Sequence, residues 1–281
     1  MTILDGKALA EKVLQKVQLR AKKFSPAISL AVILVGNDPA SQAYVRQKRL
    51  AAARVGFAFH LAHLPQKTPK QTLLAAIQKL NRDPKLDGFL VQLPLPKQIN
   101  PAAILATIAP QKDVDGFTPQ NFGQGFLGLP SLLPATPLGI LHLLESAQIP
   151  LQGQHVVIIS NSTIVGRPLA MLLMARNATV TVCHKFTQNL AKITRQADIL
   201  ISATGVPNLI TSSMLKKDVI AIDVGCTKFQ GKLVGDFNFQ SCAQKARLIT
   251  PVPGGVGPMT VVSLLANTLQ ARINKVGRSA K

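Results

Sequence analysis

Apolar and polar positions along the chain alternate between two periods, and the alternation predicts strands and helices in turn. After Asp5 or Gly6, Ala8, Leu9, Val13, Leu14 and Val17 recur at helical spacing, so an amphipathic helix should run to near Lys23 and Pro26. Ile28–Val35 is an unbroken apolar run between Pro26 and Gly36, which reads as a strand buried on both faces. Asp38-Pro39 then offers an N-cap and a proline at the first helical position, for a helix reaching about Arg54 with Gly56 just beyond. A strand at Phe57–Leu64 follows, then a helix opened by Thr68-Pro69 that carries Leu73, Leu74, Ile77 and Leu80. Gly88–Leu93 is a further strand, stopped by Pro94 and Pro96, and Asn100-Pro101 caps a short helix to Ile108.

Asp113–Pro134 is rich in glycine and proline and reads as connecting loops. Thr136-Pro137 opens a helix to near Ala147, and a second block begins after it. That block has a strand at His155–Ile159, a helix at Arg167–Arg176, a strand at Thr179–Cys183 and a helix at Gln188–Gln196. Strands at Asp198–Ser202 and Val219–Val224 complete it. Thr250–Thr260 holds three glycines and three prolines in eleven residues, the composition of a rigid shaped loop, and a last helix is expected from Val261. Strands alternating with helices imply an α/β fold with parallel sheets, and 281 residues suit two ordinary domains, divided at about 135 to 150.

Composition narrows the function classes. A chain that is 47% hydrophobic and 16% charged is a packed globular protein. Its 32 Lys and Arg against 12 Asp and Glu give +20, a field that attracts polyanions. The basic residues are scattered singly and in pairs, such as Lys22-Lys23 and Lys216-Lys217, with no tract interleaved with aromatics, so no nucleic-acid partner is expected. Cys183, Cys226 and Cys242 have no metal-ligand spacing, and His60 and His63 lack acidic or Cys partners nearby; no metal site is expected. No signal-peptide pattern and no apolar run of roughly 18 residues appears, which makes a cytoplasmic protein without a membrane partner the expectation.

Ser41, Tyr44 and Lys48 are spaced by three and four, so they form one polar stripe on the helix after Asp38. A solvated face is the plain reading. The alternative is a site, because the sole Tyr stands one turn before a Lys, just after a strand end where open α/β sheets bind ligands. After the strand at His155–Ile159 comes S-N-S-T-I-V-G-R-P, Ser160–Pro168. It is not G-x-G-x-x-G, yet a strand, a small-residue turn and Gly166 at a helix start suit a phosphate held by backbone amides.

Four strings carry a resemblance: V-G-N-D-P-A-S-Q-A-Y-V-R-Q-K (Val35–Lys48), D-G-F-L-V-Q-L-P-L-P (Asp87–Pro96), K-D-V-D-G-F (Lys112–Phe117) and T-P-V-P-G-G-V-G-P-M-T (Thr250–Thr260). With these, the chain resembles the bifunctional methylenetetrahydrofolate dehydrogenase/cyclohydrolase (FolD) family, from about Ile3 to about Leu269. The resemblance implies an N-terminal catalytic domain (1–135) with residues 261–281 packed back on it, a Rossmann-like NADP-binding domain (136–260), a cleft between them and a homodimer. It implies oxidation of 5,10-methylenetetrahydrofolate and hydrolysis of the methenyl product to 10-formyltetrahydrofolate, one-carbon chemistry that supplies purine biosynthesis. By the same resemblance Lys48 is the catalytic lysine and Gln92 orients it. Tyr44 packs on the benzoyl ring, Asp115 binds the pterin, and Ser41, Gly257 and Pro258 line the substrate site. Asp113 reads as a turn former.

The cofactor residues implied are Ser160, Asn161, Ser162, Ile164, Val165, Gly166, His184, Lys185, Thr187 and Gly205. The sequence departs from the family there, with Ser160 for a glycine and Asn161 for the arginine associated with the 2′-phosphate of NADP. Lys185 stands where serine is common, and our expectation is that it replaces that arginine and keeps NADP preferred; NAD use stays open. Ala135, where cysteine is frequent, carries no catalytic meaning. Two rivals remain at this stage: an enzyme keeping one activity or using NAD, and a cationic nucleic-acid-binding protein on the same scaffold.

Overall fold

The computed structural model describes residues 2–279, with side chains to residue 277. In chain order the elements are β1 (Thr2–Ile3), α1 (Gly6–Ala21), β2 (Ser29–Val35), α2 (Pro39–Arg54), β3 (Ala58–Leu64), α3 (Lys70–Arg82) and β4 (Gly88–Val91). There follow α4 (Pro101–Leu105), α5 (Pro119–Phe126), α6 (Ala135–Ser146), β5 (His155–Ile159), α7 (Gly166–Met174), β6 (Thr179–Cys183) and α8 (Leu190–Thr194). The chain closes with β7 (Ile199–Ser202), β8 (Ile220–Asp223), β9 (Thr227–Phe229), β10 (Lys232–Val234), α9 (Phe239–Ala243), β11 (Leu248–Ile249) and α10 (Val256–Ser279). No helix among the described residues is long and apolar enough to cross a membrane.

Two compact units result. One is residues 12–135 with the last helix from Val261 onward. Its sheet is parallel with order β3-β2-β4, so the chain leaves central β2, returns on one side as β3, then crosses to the other as β4. Every residue of β2 is buried, as its unbroken apolar run requires. Ile33, Val35, Leu73, Ile77 and Phe89 form the core on one face. Such a reversal of strand order opens a crevice at the carboxyl end of β2, and α2 starts there.

The other unit gathers the chain up to Glu11 with Thr136–Thr260. Its six-stranded sheet has order β1-β11-β8-β7-β5-β6, and neighbouring strands pair in parallel throughout. The chain steps from β5 outward to β6, then back across to β7, so the reversal falls at the carboxyl end of β5. Val157, Leu200, Ala221 and Ile249 belong to one core cluster on this sheet, packed with Leu215 and Phe237. β9 and β10 form a separate antiparallel hairpin.

Residues up to Glu11 are grouped with the six-stranded unit: β1 pairs with β11, and the Lys7 amide bonds to the Gly254 carbonyl at 2.9 Å. The structure corrects three sequence expectations. Thr68 does not cap α3, because its hydroxyl donates to the Pro65 carbonyl at 2.6 Å. The loop region 113–134 contains α5, capped by Thr118, whose hydroxyl accepts the Asn121 amide at 3.3 Å. The last helix begins at Val256 rather than Val261, so Gly257 and Pro258 sit in its first turn, where a proline removes no intrahelical bond.

Candidate active site

In the three-stranded unit, the Asp38 carboxylate accepts the Ser41 amide and hydroxyl, each at 2.8 Å, and starts α2 at the crevice. Helical spacing then stacks Ser41, Tyr44 and Lys48 on one face. Ser41 and Lys48 are buried and Tyr44 half-buried, so the stripe faces protein and not solvent. Lys48, only 5% exposed, donates to Gln92 Oε1 at 2.9 Å. Gln92 follows β4 directly; its amide nitrogen donates to the Leu93 carbonyl at 2.8 Å, which leaves Oε1 turned to the lysine. The Ser41 hydroxyl reaches the same Leu93 carbonyl at 3.4 Å.

Burial holds the Lys48 amine below its ordinary range, and the Asp115 carboxylate nearby pulls it partway back. Burial pushes the Asp115 carboxyl up; Lys48 opposes the rise and Asp113 adds to it. Burial thus favours the neutral amine on Lys48 and the protonated carboxyl on Asp115, the directions that a proton acceptor and a proton holder require. Asp115 makes no hydrogen bond among the described residues, so its oxygens remain for a ligand.

A framework of buried polar groups holds Asp115 in place. Asp113 accepts the amides of Gly116 at 2.9 Å and Thr118 at 2.7 Å, together with Asn121 Nδ2 at 3.1 Å; it shapes the turn, as its position suggested. Lys112 donates to the carbonyls of Leu80 and Asp83 at the end of α3. From α10, Asn267 donates to the carbonyls of Val114 and Leu133, both at 2.8 Å. Sequence reading passed over Asn267; a lone Asn amid Leu264, Leu265 and Leu269 was the available signal. Asp87 is buried between Arg272 at 3.2 Å and Lys275 at 2.9 Å, which fastens α10 to the segment before β4.

In the six-stranded unit, the turn after β5 is tied by hydroxyls. Ser162 Oγ accepts from Ser160 Oγ at 3.1 Å and from the amides of Val165 at 3.2 Å and Gly166 at 3.3 Å. A Cβ on Gly166 would collide with the Ser160 carbonyl, so glycine is required for α7 to approach β5. The first amides of α7 are therefore bonded within the turn, and the exposed residues Asn161, Thr163 and Ile164 carry the amides that remain. The Arg167 side chain donates to the Asn161 carbonyl at 2.9 Å.

After β6, the His184 amide donates to Thr187 Oγ1 at 2.9 Å and makes a tight turn. Lys185 Nζ lies 4.8 Å from the centroid of the Phe186 ring, which is 76% exposed. Gly205 follows β7 with φ of 71°, its carbonyl accepting from Thr227 Oγ1 at 3.0 Å. The structure thus brings Lys48, Gln92 and Asp115 together in one unit, and places Ser160–Gly166, His184–Thr187 and Gly205 at sheet ends in the other. Gly257 and Pro258 belong to the six-stranded unit and not to the one carrying Lys48.

A parallel sheet whose strand order reverses beside a glycine-dependent turn, joined in one chain to a buried lysine–amide–carboxyl centre, defines a two-unit α/β enzyme of the dinucleotide-dependent class. Comparison with known proteins agrees. Residues 4–115 match the tetrahydrofolate dehydrogenase/cyclohydrolase catalytic domain and residues 134–276 the NAD(P)-binding domain of the same name. The chain belongs to the tetrahydrofolate dehydrogenase/cyclohydrolase family. It is 51% identical over 276 residues to the bifunctional protein FolD of Wolinella succinogenes, covering 96% of each chain. The crystal structure of the FolD enzyme from Campylobacter jejuni is similar at a TM-score of 0.95 and 47% identity, over 98% of this chain and 99% of that one. The Trypanosoma brucei enzyme, solved with NADP and an inhibitor, has a TM-score of 0.94 at 36% identity, over 98% of both chains.

Proposed function

We infer that this protein oxidises 5,10-methylenetetrahydrofolate to 5,10-methenyltetrahydrofolate with NADP and hydrolyses that product to 10-formyltetrahydrofolate. The buried Lys48–Gln92 pair with Asp115 beside it is the observation that carries the reading. In the hydrolysis, water adds to the bridging carbon and gives up one proton; the remaining hydroxyl proton passes to the departing nitrogen as its bond to carbon breaks, leaving the formyl group and an N–H. Lys48 takes up the first proton through the neutral amine that burial favours, and Gln92 aims the amine. Asp115 receives the N–H groups of the pterin, and Tyr44 covers the benzoyl ring. Ser41 supports the site through the Leu93 carbonyl.

The turn after β5 fits a dinucleotide, because a Cβ at Gly166 would fill the close approach of helix and strand. Ser160, Asn161, Ser162, Ile164, Val165 and Gly166 would hold the pyrophosphate side, with His184, Lys185, Thr187 and Gly205 around the rest. When bound, NADP supplies the hydride acceptor for the oxidation. Lys185 supplies the cation for the 2′-phosphate from the carboxyl end of β6. One observation favours a second reading, in which NAD serves as well: Asn161 presents no cation on the opposite strand end. We take the working form to be a cytoplasmic homodimer.

The deciding experiment is the initial rate on methylenetetrahydrofolate with NADP⁺ and, separately, NAD⁺, read as acid-quenched methenyl absorbance. Turnover favouring NADP⁺ is expected. Preference for NAD⁺ would keep the enzyme and discard the Lys185 role; no turnover with either would overturn the dehydrogenase.

A further inference from the structure

Asp236 lies outside every strand and helix, at 1% exposure. Its Oδ2 accepts three hydrogen bonds: from Ser202 Oγ at 2.7 Å, the Thr204 amide at 2.6 Å and Thr204 Oγ1 at 2.8 Å. Thr204 Oγ1 in turn accepts the Val206 amide at 3.2 Å. One buried carboxylate oxygen therefore fixes the last residue of β7 and the turn that follows it. Gly205, at the centre of that turn, is exposed and has positive φ.

A second carboxylate holds the first. Asp223, at the end of β8, accepts the amides of Gly225 and Asp236 through Oδ1, each at 3.0 Å, and the Phe237 amide through Oδ2 at 2.9 Å. Its own amide donates to Thr250 Oγ1 at 2.7 Å. A Cβ on Gly225 would strike Asp236 Oδ1, and one on Gly235 would strike Asp223 Oδ2, so both glycines make room for a carboxylate. Asp236 Oδ1 is buried without a partner among the described residues. A loop held only for stability gains little from a desolvated carboxylate carrying a bare oxygen. Aiming the amide and hydroxyl of Thr204, in one exposed turn, from the buried end of β7 is what this arrangement does.

We propose that Asp236 is a positioning residue for the dinucleotide, setting the Thr204–Val206 turn at the carboxyl end of β7 against the cofactor. The proposal rests on the reading of Gly205 as part of the NADP site. The bifunctional reaction supplies its own control, since hydrolysis of the methenyl compound consumes no dinucleotide.

The test compares wild type with Asp236→Asn and Thr204→Val. It measures NADP⁺ affinity by titration calorimetry, the oxidation rate, and hydrolysis of methenyltetrahydrofolate without dinucleotide. For Asp236→Asn, the oxidation rate should fall on the order of 10²-fold, the scale of a misplaced reacting group, and the Kd and KM for NADP⁺ should rise with it. The KM for the folate and the hydrolysis rate should stay as in wild type. Thr204→Val removes one donor and should raise the same Kd by less; it decides alone if Asp236→Asn yields no folded protein. Unchanged NADP⁺ affinity in the variants overturns the proposal, and so does hydrolysis that falls in step with oxidation. A wild type without NADP⁺ affinity would sink the cofactor reading beneath it instead.

Discussion

In the three-stranded unit the chemistry lies in side chains, an amine, an amide and a carboxyl in bonding or charge reach of one another. In the six-stranded unit it lies in backbone amides, hydroxyls and glycines at the ends of β5, β6 and β7. The difference decides how each region should tolerate change. Any residue but proline offers an amide, so substitutions that keep the turn's shape keep its donors. The Lys48 amine has no backbone substitute.

The largest effect expected is therefore from Lys48→Ala. Hydrolysis should fall on the order of 10² to 10⁴-fold, the usual share of a general base. Oxidation should fall less, since it depends on placement, and NADP⁺ affinity should hold; decay of methenyl absorbance above the spontaneous rate measures it. Hydrolysis that survived the change would remove the base from our scheme. Gly166→Ala attacks the other region through its backbone. The added methyl meets the Ser160 carbonyl, overpacking that costs about 1–3 kcal/mol. Thermal melting should record the loss and titration a weaker NADP⁺, with hydrolysis spared.

Lys185→Ser should weaken NADP⁺ about tenfold, roughly 1.4 kcal/mol, with little change for NAD⁺. Equal losses for both would make Lys185 a surface residue and the preference a property of the turn alone. A signature in stability belongs to Asp223. Burial pushes its carboxyl to about 7 from 3.8 against the pull of the Phe237 and Asp236 amides. The native state thus keeps a proton that the unfolded chain has lost, so this stabilisation is full below about pH 4 and disappears as pH rises through about 7. Denaturation midpoints across that window should decline for wild type relative to Asp223→Asn; parallel curves would contradict the shift.

Local signals were legible and distant ones were not. Asp38 and Asn100 accept the amides that their place before a proline predicted. Asp113 makes the turn expected of it, and the strands at His155–Ile159 and Thr179–Cys183 have the bounds read from the pattern. The two-residue strands β1 and β11 are too short to show a period, and their partners lie far apart in the chain. α5 escaped because Gly123 and Gly125 lie inside it, although Thr118-Pro119 offered the same cap signal used elsewhere. In the candidate site, Lys48 and Gln92 came from resemblance; the stripe alone could not distinguish a solvated face from the buried one observed. The role of Asp236 was not legible, since Ser202 and Thr204 stand more than thirty residues before it.

The long helix α10 is shared, with its residues to Thr260 counted in one unit and those from Val261 in the other. Synthesis makes chains from the N-terminus, so this arrangement sets a schedule. Residues 12–135 leave the ribosome early, yet Asp87 must wait for Arg272 and Lys275, and the Val114 carbonyl for Asn267. The strand at the very start, β1, likewise waits for β11. Cutting the gene at residue 135 would therefore not release a working catalytic half; it would strand a buried carboxylate and the loop that bears Asp115. In this fold early segments wait for late ones.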